Sequence, residues 1–152
     1  MPSKAGASRS VKARAVALLA RREYARAELR DRLLAAGGDV AEVDATLAEL
    51  AVQGYLSDDR YAHAIVRRKR GDFAQRAIVA TLKAKGVDPA TAREALANVP
   101  LDDEKALADL WRRRFGQSPC DERERARQVR FLQARGFALS AILRLLRAPP
   151  VD

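Results

Sequence analysis

Three glycines, Gly37, Gly86 and Gly136, recur at intervals of about 49–50 residues along the 152-residue chain, and their surroundings recur with them. A leucine stands four positions before each (Leu33, Leu82, Leu132). Val43, Ala92 and Ile142 stand six after, and Leu47, Leu96 and Leu146 ten after. Steps of four place side chains on one face of a helix, so these are the expected core positions. Glycine just past a helix end takes the left-handed backbone that a Cβ would make costly. A supersecondary unit of this length buries its apolar face by stacking on copies of itself, so the chain is expected to be a tandem array.

Helix starts are legible as well. Ser8 or Ser10 precedes the first amphipathic stretch, Asp39 with Glu42 resembles a capping box, and Asp88-Pro89 sets an N-cap before a first-turn proline. Ser118-Pro119 with Asp121 does the same in the third unit. Ser57-Asp58-Asp59 and Asp102-Asp103-Glu104 open helices with negative charge, which suits the positive end of the dipole. Ala, Leu, Arg and Glu dominate and β-branched residues are sparse, which favours helix throughout. The expected helices are 9–23, 25–36, 40–53, 58–70, 74–85, 89–98, 103–115, 119–135 and 138–147. No stretch alternates as a strand would. The fold expected is all-α: tandem three-helix repeats at 11–54, 55–100 and 101–148, behind a flexible basic tail at 1–10.

The net charge is +9, and the cations exceed the anions by two in residues 1–54, four in 55–99 and three in 100–152. A chain basic along its whole length suits a polyanion better than one neutral domain with a basic tail would. The first helix of each triplet ends in a basic cluster followed by an aromatic: Arg21, Arg22 then Tyr24; Arg67, Arg68, Lys69, Arg70 then Phe73; Arg112, Arg113, Arg114 then Phe115. Cations at helix ends also favour the dipole, and the aromatic can pack under the next helix, so each cluster alone has a purely structural account. Three in equivalent places point to an array that could track a phosphate backbone or a filament groove. The densest runs, Arg67 to Arg70 and Arg112 to Arg114, are the expected main stripe, with Arg21, Arg22, Arg127 and Arg130 beside them.

Catalytic chemistry is missing from the sequence. His63 is the only histidine and sits on an expected helix; Cys120 is the only cysteine and lies far from it. There is no Cys/His set for zinc, and Gly37-Gly38 lacks the Lys-Ser/Thr of a phosphate loop. Asp58-Asp59 could hold Mg²⁺ in principle, but its place at a helix start makes capping the better reading. Trp111 falls among Leu107 and Leu110 as core. No catalysis, cofactor or metal is expected, and the apolar runs are too short for a membrane span. A cytoplasmic monomer is the expectation.

Three segments resemble bacterial RecX proteins. Leu18-Leu19-Ala20-Arg21-Arg22-Glu23-Tyr24-Ala25-Arg26-Ala27-Glu28-Leu29, with Arg32-Leu33, looks like the family's opening signature. Gly54-Tyr55-Leu56-Ser57-Asp58-Asp59-Arg60-Tyr61-Ala62 is similar to its central motif. Trp111-Arg112-Arg113-Arg114-Phe115-Gly116 and Arg127-Gln128-Val129-Arg130-Phe131-Leu132-Gln133-Ala134-Arg135-Gly136-Phe137 fit its third part. The resemblance implies an elongated, curved body lying in the groove of the RecA–single-stranded DNA filament. There it would restrain the ATPase, co-protease and strand-exchange activities of RecA, in DNA repair, homologous recombination and the SOS response. Two positions depart from the pattern. Ala74 replaces a glycine, which puts the turn around Gly71-Asp72-Phe73 in question, and Ala138 replaces a serine N-cap worth about 1 kcal/mol. The rival reading is a helix-turn-helix-like protein that binds double-stranded DNA directly. Against it, the expected third helices of the first two units are rich in Ala and Glu, not in cations.

Overall fold

The computed structural model describes residues 10–151. Ser8 and most of the expected N-terminal tail lie outside them. Among the described residues nine α-helices follow one another: α1 (Val11–Leu19), α2 (Arg26–Ala35), α3 (Val40–Val52), α4 (Asp58–Lys69), α5 (Gln75–Ala84), α6 (Pro89–Ala97), α7 (Asp103–Arg114), α8 (Glu122–Ala134) and α9 (Leu139–Arg147). Among the described residues there is no strand, only an isolated bridge between Arg70 and Phe73. The helices form three units, α1–α3, α4–α6 and α7–α9, and in each the third helix packs on both of the others.

The repeat is the core. Leu33, Leu82 and Leu132, then Val43, Ala92 and Ile142, then Leu47, Leu96 and Leu146 are all buried, each set in its own unit's cluster. Fully burying one such leucine stabilises the fold by roughly 1.5–3 kcal/mol. Gly37, Gly86 and Gly136 have φ of 95°, 79° and 92°, the left-handed turn that ends each middle helix. Trp111 is core, as expected. Its Nε1–H donates to Oε1 of Gln128, a buried polar residue that hydrophobic patterning does not reveal.

Two helix boundaries, one start and one end, differ from expectation by three residues or more. α8 begins at Glu122, not at Pro119, because Asp121 caps it: its side chain accepts from the Glu124 N–H at 2.8 Å. α1 ends at Leu19, so Arg21 and Arg22 stand in the turn beyond it, where the chain runs extended into α2 and buries Tyr24. The other caps follow the sequence: Ser10, Asp39, Ser57, Asp88 and Asp102 each accept from a first-turn N–H.

The units are joined by a device that repeats. α2 and α5 have alanines, Ala25 and Ala74, at their N-caps and no cap from their own segment. The missing acceptor comes from the next unit. Asp58, the first residue of α4, accepts from the Arg26 N–H at 2.8 Å. Asp103, the first residue of α7, accepts from the Gln75 N–H at 3.0 Å. The two alanines are small because they are buried in the following unit's core: Ala25 joins the cluster of unit 2, and Ala74 that of unit 3. Gly86 abuts Ala27 and Gly136 abuts Ala77 so closely that a Cβ on either glycine would sit under 3 Å from the alanine methyl. The ends of the array break the pattern in the way this device requires. At the position of Asp58 and Asp103, unit 1 has Val11, which turns inward to its own core. Unit 3, the last of the three described, caps its middle helix itself through Asp121.

Ala74, which stands where the family pattern has a glycine, docks on unit 3; its N–H donates to the Arg135 carbonyl at 2.9 Å. Ala138 leaves α9 without a side-chain cap.

Candidate functional site

The expected basic clusters fall at the ends of α1, α4 and α7, but the structure divides them by what each cation touches. Arg22 bonds Glu28 (3.1 Å) and lies 3.6 Å from the Tyr24 ring centroid. Arg112 pairs with Asp109 at 3.2 Å, and Arg127 with Glu124 at 3.0 Å. Arg113 reaches across the second joint to the Gly71 carbonyl (2.9 Å) and the Asp72 carboxylate (3.0 Å). These four have structural employment. Arg21, Arg67, Arg68, Arg70 and Arg130 are exposed and pair with no carboxylate among the described residues. Arg21 lines a groove with Arg14 and Arg32.

The joints between units are electrostatically unlike. At the first, Glu28 receives both Arg22 and Lys85 (2.8 Å). Burial pushes its carboxyl up, but hydrogen bonds from Arg22 and Lys85 outweigh that and hold it below the usual carboxylate range. At the second, the corresponding third residue of the middle helix is Ala77, and no carboxylate replaces Glu28. The cation before the helix-ending glycine persists as Arg135. It stacks 4.5 Å from the Phe73 centroid and 5.0 Å from that of Phe131. Lys69 approaches Phe73 at 4.2 Å and Arg114 approaches Phe131 at 5.0 Å. Partial burial, then the like charges of Arg68 and Arg135, push the Lys69 ammonium below its usual range. Arg113, Arg114, Phe131 and Arg135, with Asp72 and Leu110, line a groove of about 390 Å³. The sequence reading did not single out Arg135. The signal for it was present, since it occupies the position of Lys85 one unit earlier.

Other chemistry is sparse. His63 shares its Nδ1 with the Asp59 carbonyl at 2.7 Å, and Cys120 is exposed. Among the described residues no group of three or more His, Cys, Asp or Glu is gathered to hold a metal ion. No described helix is long and apolar enough to cross a membrane. Helix α3 carries Glu42, Asp44 and Glu49 and no cation, so it is poorly suited to read a DNA groove.

Three family models match the chain in order: the first three-helix domain of RecX at residues 12–50, the second at 57–96 and the third at 102–146. The chain belongs to the RecX family. Relatives named Regulatory protein RecX support this over about nine-tenths of the chain. That of Leptothrix cholodnii is 41% identical, covering 91% of this chain and 88% of its own. That of Chromobacterium violaceum is 42% identical, covering 93% and 92%. A crystal structure of RecX from Lactobacillus salivarius shares the fold with a TM-score of 0.62 at 20% identity, covering 90% of this chain and 94% of that one. Within RecX, then, the three expected segments fall one to each matched domain, and the array of three units is the family's architecture.

Proposed function

We propose that this RecX-family chain is a non-enzymatic cytoplasmic regulator that lies in the groove of the RecA–single-stranded DNA filament and restrains its ATPase, co-protease and strand-exchange activities. The observation that carries the reading is the set Arg67, Arg68 and Arg70. These exposed cations at the end of α4, in the middle of a three-unit array, make no ion pair with any described carboxylate. Cations with no internal partner are the ones available to an external polyanion, whether phosphate or acidic protein. Arg21 and Arg130 extend the set toward the two ends, and Arg112 to Arg114 continue it with part of their charge already used internally.

The test is charge reversal of Arg67 and Arg68 to glutamate. Binding to RecA–single-stranded DNA filaments should weaken, and inhibition of the RecA ATPase should be relieved. The helical circular dichroism should stay unchanged, since exposed substitutions usually move stability by no more than about 0.5 kcal/mol. A double variant that inhibits RecA as well as its parent does would sink the reading. Tighter binding to bare duplex than to filament would favour a direct duplex binder instead.

A further inference from the structure

We propose that the joint between units 2 and 3 is a phosphate seat, in which Lys69, Arg114 and Arg135 hold the phosphodiester backbone of a nucleic-acid strand. This rests on the filament reading above and divides its contact surface: the second joint meets nucleic acid, and the first does not.

The argument is a comparison of two equivalent places in one molecule. Both joints bring a cation at the end of a middle helix, Lys85 or Arg135, against the start of the preceding unit's middle helix. At the first joint Glu28 is built in to receive that charge and Arg22 together. At the second the same helical position carries a methyl group, Ala77. The one carboxylate in the groove, Asp72, is taken by Arg113. Lys69, Arg114 and Arg135 are left with aromatic faces and one another.

Like charges gathered without a counterion repel one another, and the fold holds them there by stacking on Phe73 and Phe131 rather than by neutralising them. Such a cluster gains when an anion enters. The cations come from three different helix ends, α4, α7 and α8. Lys69 and Arg135 share the Phe73 ring and Arg114 and Arg135 share the Phe131 ring, so three positive charges adjoin, more than a single carboxylate neutralises and suited to successive phosphates. Releasing the counterions of those phosphates would supply the driving force.

The experiment measures the full-length chain binding labelled oligothymidylate, and duplex of the same length, across a salt series. RecA–single-stranded DNA filaments are titrated in parallel. Lys69→Gln with Arg135→Gln should weaken binding to DNA and flatten the slope of log K against log salt by about 1.4 on the single strand, about 0.7 for each lost phosphate contact. Lys85→Gln, the matching change at the first joint, should leave that slope as it is. If the double variant folds poorly by circular dichroism, Arg114→Gln serves alone, with an expected loss of about 0.7 in slope. Either nucleic acid showing the loss supports the seat, and the stronger response identifies which it takes. The seat is overturned if the parent chain has no measurable affinity for either DNA, or if the variants keep the parent's slopes. Unchanged slopes with weakened filament binding would assign the joint to acidic protein residues. Lost DNA slope in a chain that never binds filaments would leave the seat standing and remove the filament reading.

Discussion

Gln128 lies buried on α8, facing Trp111 of α7, where it accepts from the Trp111 indole at 3.0 Å and donates to the Gln117 carbonyl at 3.1 Å and to Glu124 at 3.3 Å. Removing its amide orphans both the indole N–H and a carbonyl. Gln128→Ala should therefore cost about 1–3 kcal/mol for the unsatisfied groups, with a cavity cost in addition. Urea unfolding followed by the fluorescence of Trp111, the only tryptophan, measures it. Gln128 stands eight positions before Gly136, as the buried Leu29 and Ile78 stand before Gly37 and Gly86, but an amide in an arginine-rich run does not itself read as core. Leu132, one turn further on, was legible because leucine at a recurring position has few other uses. Glu28 yields a pH prediction. Its pKa is lowered in the fold, so its contribution is complete above the unfolded carboxylate value of about 4.3 and is lost as pH falls below it toward the folded pKa. Glu28→Gln should give a shallower fall of the unfolding midpoint in that acid window than the parent shows. Parallel curves would mean the carboxylate is not coupled to folding.

For the helices, the sequence shows that a segment starts and often how, but not who completes it. Asp58 and Asp103 read as anions serving the dipoles of their own helices; Ser57 and Asp102 fill the local cap, and the two aspartates serve α2 and α5 of the preceding unit. That assignment depends on tertiary placement, which local chemistry does not encode. Asp58→Ala and Asp103→Ala should each destabilise by about 0.5–2 kcal/mol, the usual range for a lost N-cap. Hydrogen exchange adds a sharper readout. The first-turn amides of α2 should lose protection in Asp58→Ala, and those of α5 in Asp103→Ala. Loss confined to the mutated helix itself would refute the cross-unit cap. The misplaced start of α8 has the same kind of cause: Ser118-Pro119 is a plausible opening by propensity, and the geometry of Asp121 prevails.

The whole molecule is three small cores joined in series, and no hydrogen bond or ion pair among the described residues links unit 1 to unit 3. Scattering should give a radius of gyration above the roughly 15 Å of a compact chain of this length. A value at or below it would mean the units fold back on one another. The number of units and their order were readable from the glycine and leucine repeat. The unequal joints were not, because the contrast between Glu28 and Ala77 acquires meaning only once both are seen to face the next unit's helix end. The ends of the array are likewise defined in the fold. Val11 offers no acceptor to a preceding middle helix and Asp121 asks for none from a following unit, so copies of the chain have no reason to stack end to end by this device.

The cross-unit caps also set an order in time. A chain leaves the ribosome N-terminus first at about 5–20 residues per second. Helix α2 is synthesised by Ala35, yet the carboxylate that finishes its first turn arrives only with Asp58; α5 waits in the same way from Ala84 to Asp103. Each unit is thus completed by its successor, and only the last closes itself. A nascent chain halted between units always ends on an unfinished helix start and an uncovered alanine.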